Sequence, residues 1–163
     1  MNYFELFGLP QAPSVNRSLL AAKYFDLQKK NHPDFFTQAT ETEKEEALEQ
    51  SAAINKAFNI FQDKEKTIEY FLQLTGMIEA DEKYSLPPAF LMEMMEINEA
   101  LTEDGEKAVV NRINDYENAL FEENRTVIEN YDPANTGEQQ LLKLKEYYYK
   151  KKYLKRILDR LGD

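Results

Sequence analysis

The stretch Gln28-Lys29-Lys30-Asn31-His32-Pro33-Asp34 decides how the rest of the chain is read. Leu20, Tyr24 and Leu27 lead into it at i, i+4 and i+7, the spacing of one helical face, and that pattern stops at Pro33. Proline clashes with the residue before it, so His32 is predicted to leave the helical region for an extended conformation. Asp34 is a turn former whose carboxylate is expected to bond nearby backbone amides. His32, the only histidine of the chain, is thereby expected on an exposed loop between two helices. A bare His-Pro-Asp is most often helix punctuation followed by a solvated aspartate. The flanking residues have to decide.

Upstream, Asn2-Tyr3-Phe4-Glu5-Leu6-Phe7-Gly8-Leu9 is a short aromatic helix ended by a glycine, and Asn16 or Ser14 can cap the second helix. Downstream, Thr42 and Glu45 make a T-x-x-E capping box. It would open a third helix with Ala47, Ser51, Ile54, Phe58 and Phe61 on one side. Asp63 caps a fourth, carrying Ile68, Phe71 and Leu72, with Gly76 where a helix C-cap is expected. Helices two and three should pack antiparallel, the His32 loop at their joined end.

Residues 77–88 lack helical periodicity and end on Pro87-Pro88, which reads as a connection between domains. The division predicted is 1–75 for a first domain, 76–87 for a linker and 88–163 for a second domain. In the second, helical patterns run over roughly 88–103, 106–130 and 136–161, separated by Gly105 and by Asp132-Pro133-Ala134-Asn135-Thr136-Gly137. The middle one sets Val109, Ile113, Tyr116, Leu120 and Val127 in one arc. The last carries Leu144, Tyr147, Leu154, Leu158 and Leu161, with Tyr148, Tyr149 and Tyr153 on a second face. Three amphipathic helices with short connections predict an antiparallel three-helix bundle and an all-α protein.

Composition removes several functions. A formal net charge of −10 repels phosphates and argues against a nucleic-acid partner. Residues 76–130 hold 14 acidic side chains against 4 basic ones, so the charge is concentrated mid-chain. The chain has no cysteine, which excludes disulfides and Cys-ligated zinc or iron–sulfur sites within it. No apolar run approaches the roughly 18 residues of a membrane span. A bacterial cytoplasmic protein that does not engage membranes is the simplest expectation.

The pattern 88–103 departs from a plain core helix. At about 100° per residue, Phe90, Met94, Ile97 and Leu101 fall in one narrow arc that faces the bundle. Leu91, Met92 and Met95 fall on the other side, interleaved with Glu96, Glu99 and Glu103. An amphipathic surface helix should be polar there. Methionine is adaptable, and an apolar patch with a charged rim is a candidate protein interface. The competing reading is that this second face packs on another part of the chain.

Taken together, Tyr3 to Leu9, His32-Pro33-Asp34, Ile54-Asn55-Lys56-Ala57-Phe58 and Glu69-Tyr70-Phe71-Leu72 resemble a J-domain. That is the module by which DnaJ-like co-chaperones engage a DnaK-type chaperone ATPase. Phe90 to Leu101 is similar to the first bundle helix of HscB-type proteins, the J-domain co-chaperones of iron–sulfur cluster assembly. With it the resemblance spans nearly the whole chain. It implies a J-domain followed by a C-terminal three-helix bundle, and an adaptor with no cofactor and no catalysis of its own. His32, Pro33 and Asp34, with Lys23, Lys29 and Lys30, would meet a DnaK/HscA-type ATPase and promote its ATP hydrolysis. Leu91, Met92, Met95, Glu96, Glu99 and Glu103 would hold an IscU-type scaffold protein, helped by an aromatic among Tyr147, Tyr148 and Tyr149.

Some positions depart from the family. The second helix has only Arg17, Lys23, Lys29 and Lys30, with Asp26 among them, and Asn31 stands where an aromatic residue is usual. Phe35 stands where many relatives have a basic residue. An alternative is a J-domain co-chaperone for a different client. An enzyme is disfavoured: Glu96, Glu99 and Glu103 lack the inward histidines of a di-metal bundle, and no pocket signal accompanies them.

Overall fold

The computed structural model describes residues 1–161. Among them it is all-helical, with seven α-helices and no strand: α1 Tyr3–Phe7, α2 Arg17–Asn31, α3 Glu41–Gln62, α4 Lys64–Leu74, α5 Pro88–Asp104, α6 Glu106–Glu129 and α7 Glu138–Leu161. Its contacts divide it into two compact units, Met1–Phe71 and Leu72–Asp163. The boundary lies in the last turn of α4.

In the first unit α2 and α3 form an antiparallel hairpin. Tyr24 stacks on Phe58 at 3.8 Å, and the Tyr24 hydroxyl and the Gln28 amide both donate to Asn55 Oδ1, at 2.8 and 2.7 Å. At the opposite end Arg17 Nη2 donates to the Gln62 carbonyl at 3.4 Å. Start pairs with end, which fixes the register. Across the hairpin lies α1, whose Phe4 and Phe7 rings contact Phe61, with Phe4 also against Tyr70. Burying such rings removes apolar area from water at roughly 25 cal/mol per Å², enough to dock a five-residue helix that would not persist alone.

The caps follow the sequence with one shift. Asn16 and Asp63 accept from the Leu19 and Lys66 amides as expected, and Asn2, not singled out from the sequence, accepts from the Glu5 amide. Helix α3 begins two residues earlier than expected, because Thr40 and not Thr42 takes the amide of its third residue, Glu43, at 3.2 Å. Both threonines stand three before a glutamate, so the motif alone did not choose. Gly8 (φ 63°) and Gly76 (φ 75°) close α1 and α4 in the left-handed region that glycine favours.

In the second unit α6 packs against both α5 and α7. Phe90 of α5 also meets Tyr153 of α7, at 5.6 Å. The buried residues are Phe90, Met94, Ile97 and Ala100 on α5, Val109, Ile113, Leu120, Asn124 and Ile128 on α6, and Leu144, Tyr147, Tyr148, Leu154 and Ile157 on α7. Three expectations move. Leu101 is exposed and Ala100 takes its place, as the buried arc rotates near the reversal at Gly105. Ile128 is buried where Val127 was expected, and Ile157 where Leu158 was. Residues 76–87 hold no helix, yet they are pinned to α7. The Glu82 carboxylate accepts from Lys145 Nζ at 3.0 Å and the Tyr149 hydroxyl at 2.8 Å, and Tyr84 stacks on Tyr149 at 4.3 Å. No helix among the described residues is long and apolar enough to cross a membrane.

Candidate functional sites

The first site is the bend of the hairpin. Helix α2 ends at Asn31, whose side-chain amide donates to the Leu27 carbonyl. His32 is extended (φ −65°, ψ 135°), and Pro33–Phe36 form a 3-10 turn. The local contact runs opposite to expectation: the His32 ring, not the Asp34 carboxylate, takes a backbone amide, Nδ1 accepting from Asp34 N at 3.2 Å. With Nδ1 as acceptor, Nε2 is the ring nitrogen left to face outward as a donor. Asp34 Oδ2 lies 3.5 Å from the same Nδ1, so a protonated ring would face a carboxylate. A residue of extended backbone, a proline and a short turn thus hold an imidazole and a carboxylate out in water. His32, Pro33 and Asp34 are all exposed.

The three lysines separate. Lys29 and Lys30 are exposed and line a shallow depression with Asp26 and Phe35, directly beside the bend. Lys23 is half-buried and its ammonium lies at the end of α1: a Cβ on Gly8 would sit 3.6 Å from Nζ.

The second site is the outward face of α5. Pro88 occupies its first turn, where the missing N–H costs no bond. Met92 and Met95 are 64% and 62% exposed, Leu91 is 37% exposed, and Glu96, Glu99 and Glu103 are exposed beside them. The buried Phe90 and Met94 take the opposite side. Of the tyrosines on α7, Tyr147 and Tyr148 are buried, while half-buried Tyr149 is engaged by Glu82 and Tyr84. Lys145 and then Tyr149, as donors, hold the Glu82 carboxyl below the usual carboxylate range. Burial, then the charges of Glu146 and Glu82, raises the Tyr84 phenol.

Sequence reasoning passed over Phe25, which is 68% exposed on α2. A helical wheel gives the signal, since Phe25 stands about 140° from Leu20 and well off the Leu20, Tyr24, Leu27 stripe. No cluster of three or more His, Asp or Glu side chains suited to a metal occurs among the described residues.

Among the described residues the fold is all-helical, and its conspicuous features are two exposed surfaces of the kind that protein-binding modules use. Known proteins narrow this. Residues 86–162 match the family model described as the HSCB C-terminal oligomerisation domain. A co-chaperone protein HscB homolog of Vibrio parahaemolyticus is 36% identical over 143 residues, 87% of this chain and 80% of the relative. One of Vibrio cholerae is 43% identical over 102 residues, 62% of this chain and 60% of the relative. That match covers less than two thirds of the relative's own length. The crystal structure of human co-chaperone protein HscB superposes with a TM-score of 0.78 at 27% identity, covering 99% of this chain and 81% of that one. Chaperone HscB from Vibrio cholerae gives 0.61 at 31% identity, covering 99% of both. The chain belongs to the HscB co-chaperone family.

Proposed function

We propose that this protein is a J-domain adaptor that delivers an IscU-type iron–sulfur scaffold protein to a DnaK/HscA-type ATPase in the cytoplasm. Residues 1–75 act as the J-domain and 88–163 as the scaffold-binding bundle. The observation that carries this reading is the outward face of α5, where Leu91, Met92 and Met95 stand in solvent within a rim of carboxylates. An exposed apolar patch with a polar rim has the anatomy of an interface centre. While the bundle holds the scaffold, the bend presents His32 and Asp34 to the ATPase. Asp34 pairs with a basic group there; His32 and Pro33 hold the loop's shape, and the Nε2 proton of His32 is a donor. Hydrolysis of the partner's ATP then locks the ATPase onto the scaffold and favours transfer of its cluster.

The test is steady-state ATP hydrolysis by the partner, with the intact chain and with residues 1–75, each with and without scaffold. Both should stimulate the ATPase, and only the intact chain should gain further from scaffold, since tethering raises the local concentration of the second contact. Scaffold synergy of equal size from both would refute the division of labour. Stimulation without any scaffold synergy from the intact chain would favour a co-chaperone for a different client.

A further inference from the structure

The surface beside the bend is not the purely basic one that a charge-steered dock would use. Phe25 is 68% exposed and Phe35 is 66% exposed, both aromatic rings left in water by a fold that buries Phe4, Phe7, Phe61 and Phe71. Phe25 shares a helix face with Lys29, one turn on. Phe35 lines the depression with Asp26, Lys29 and Lys30, and sets its ring edge-on to His32 at 6.3 Å. Exposed Ala21 and Ala22 extend the α2 face behind Phe25 without adding charge. The result is a surface running from Phe25 through Lys29 to Phe35 and the His32 loop, apolar at its ends, with Lys29 and Lys30 beside Asp26 between them.

Resting on the function proposed above, we propose that Phe25 and Phe35 are specificity-determining residues of the ATPase dock. The partner they select is an ATPase whose docking face carries apolar side chains beside the carboxylates that meet Lys29 and Lys30. Continuity argues for the occupant: Phe35 follows Asp34 in the same short turn and sets its ring edge-on to His32, so a partner seated on the His32 loop lies within reach of Phe35. A dock built this way draws its affinity from desolvated rings, which salt does not screen, and only its approach from the lysines. An ATPase evolved for a uniformly basic helix would leave both rings against polar groups and bind this chain poorly.

The test uses the full chain and its cognate DnaK-type ATPase, reading half-maximal concentration and plateau rate separately at low and high salt. Phe25→Ala with Phe35→Ala should raise the half-maximal concentration about tenfold or more, as truncation of paired interface anchors does. The plateau rate and the thermal melt should stay unchanged, because neither ring is buried. Phe25→Leu with Phe35→Leu should recover most of the affinity, and Phe25→Gln with Phe35→Lys should make the residual affinity strongly salt-dependent. A half-maximal concentration within twofold of the parent for the alanine pair overturns the proposal. His32→Gln separates the levels: if it abolishes stimulation while the alanine pair changes nothing, only this inference falls. If the parent chain does not stimulate the ATPase at all, both fall.

Discussion

The two exposed apolar surfaces are built from opposite materials. On α5, two flexible methionines and a leucine sit within glutamates; at the bend, two rigid phenylalanines sit beside lysines. A thioether chain repacks to fit its partner, while a ring has two torsions and selects for shape. The α5 rim is wholly acidic, whereas Lys29 and Lys30 beside Phe35 alternate with Asp26 and Asp34, so the two surfaces differ in charge as well as in shape. On the function proposed above, this contrast would let one small chain address two partners without confusing them.

The largest effect that can test this contrast is at the bend. His32→Gln or Asp34→Asn should abolish stimulation of the partner ATPase with no change in far-UV circular dichroism, because both side chains are in solvent. Full stimulation by either variant would remove the loop from the mechanism.

Next comes the methionine face. Replacing Leu91, Met92 and Met95 together by alanine should weaken scaffold binding on the order of a hundredfold, at upward of ~1 kcal/mol per central anchor. The melting temperature should hardly move. Met94→Ala is the contrast, since its side chain is fully buried and truncation should cost about 2–5 kcal/mol of stability. Calorimetric titration and a thermal melt on both variants decide whether α5 has one working face or two. A triple variant that melts far lower and binds normally would make the outward face packing.

The rim should matter less. Glu96, Glu99 and Glu103 changed to alanine should cost a few-fold in scaffold affinity at low salt and almost nothing at high salt, as screened surface charges do. An undiminished loss in high salt would mean that these carboxylates are desolvated anchors.

The smallest effect expected is at Glu82, which belongs to neither surface. Its carboxyl is held below the ordinary value by Lys145 and Tyr149. The stabilisation is therefore complete above the ordinary carboxylate range and disappears as pH falls through the lowered folded value. Melts of the parent and of Glu82→Gln should differ slightly near neutrality and converge in acid. A gap that widened on acidification would reverse the assignment.

How much of this could be read beforehand depended on sequence separation. Local rules work within a turn or two, so Asn16, Asp63 and Gly76 were legible as caps, and Pro33 as a stop. The α5 stripe was legible from period alone, except at Leu101, where the chain reversal and not the wheel decides burial. The Glu82 clamp was not. Its partners lie 63 and 67 residues away, and residues 76–87 have no periodicity to announce a packed segment. Asn124 was invisible for another reason: it is buried polar, and is satisfied by donating to the Leu120 carbonyl one turn back in its own helix. Phe25 could have been read, since being off the stripe on α2 is the same signal that singled out Met92 on α5.

The ring cluster around α1 has a consequence for the order in which the chain is made. Tyr3 N–H donates to the Tyr70 hydroxyl at 2.9 Å, and the two rings stack at 5.2 Å, across 67 residues. Five residues cannot hold a helix unaided. Helix α1 is therefore made before its own packing partners, and Phe4 and Phe7 stay uncovered until Phe61 and Tyr70 have followed. At synthesis rates of about 5–20 residues per second that wait lasts seconds, long enough for a nascent chain to be bound by the kind of chaperone its mature form is proposed to command.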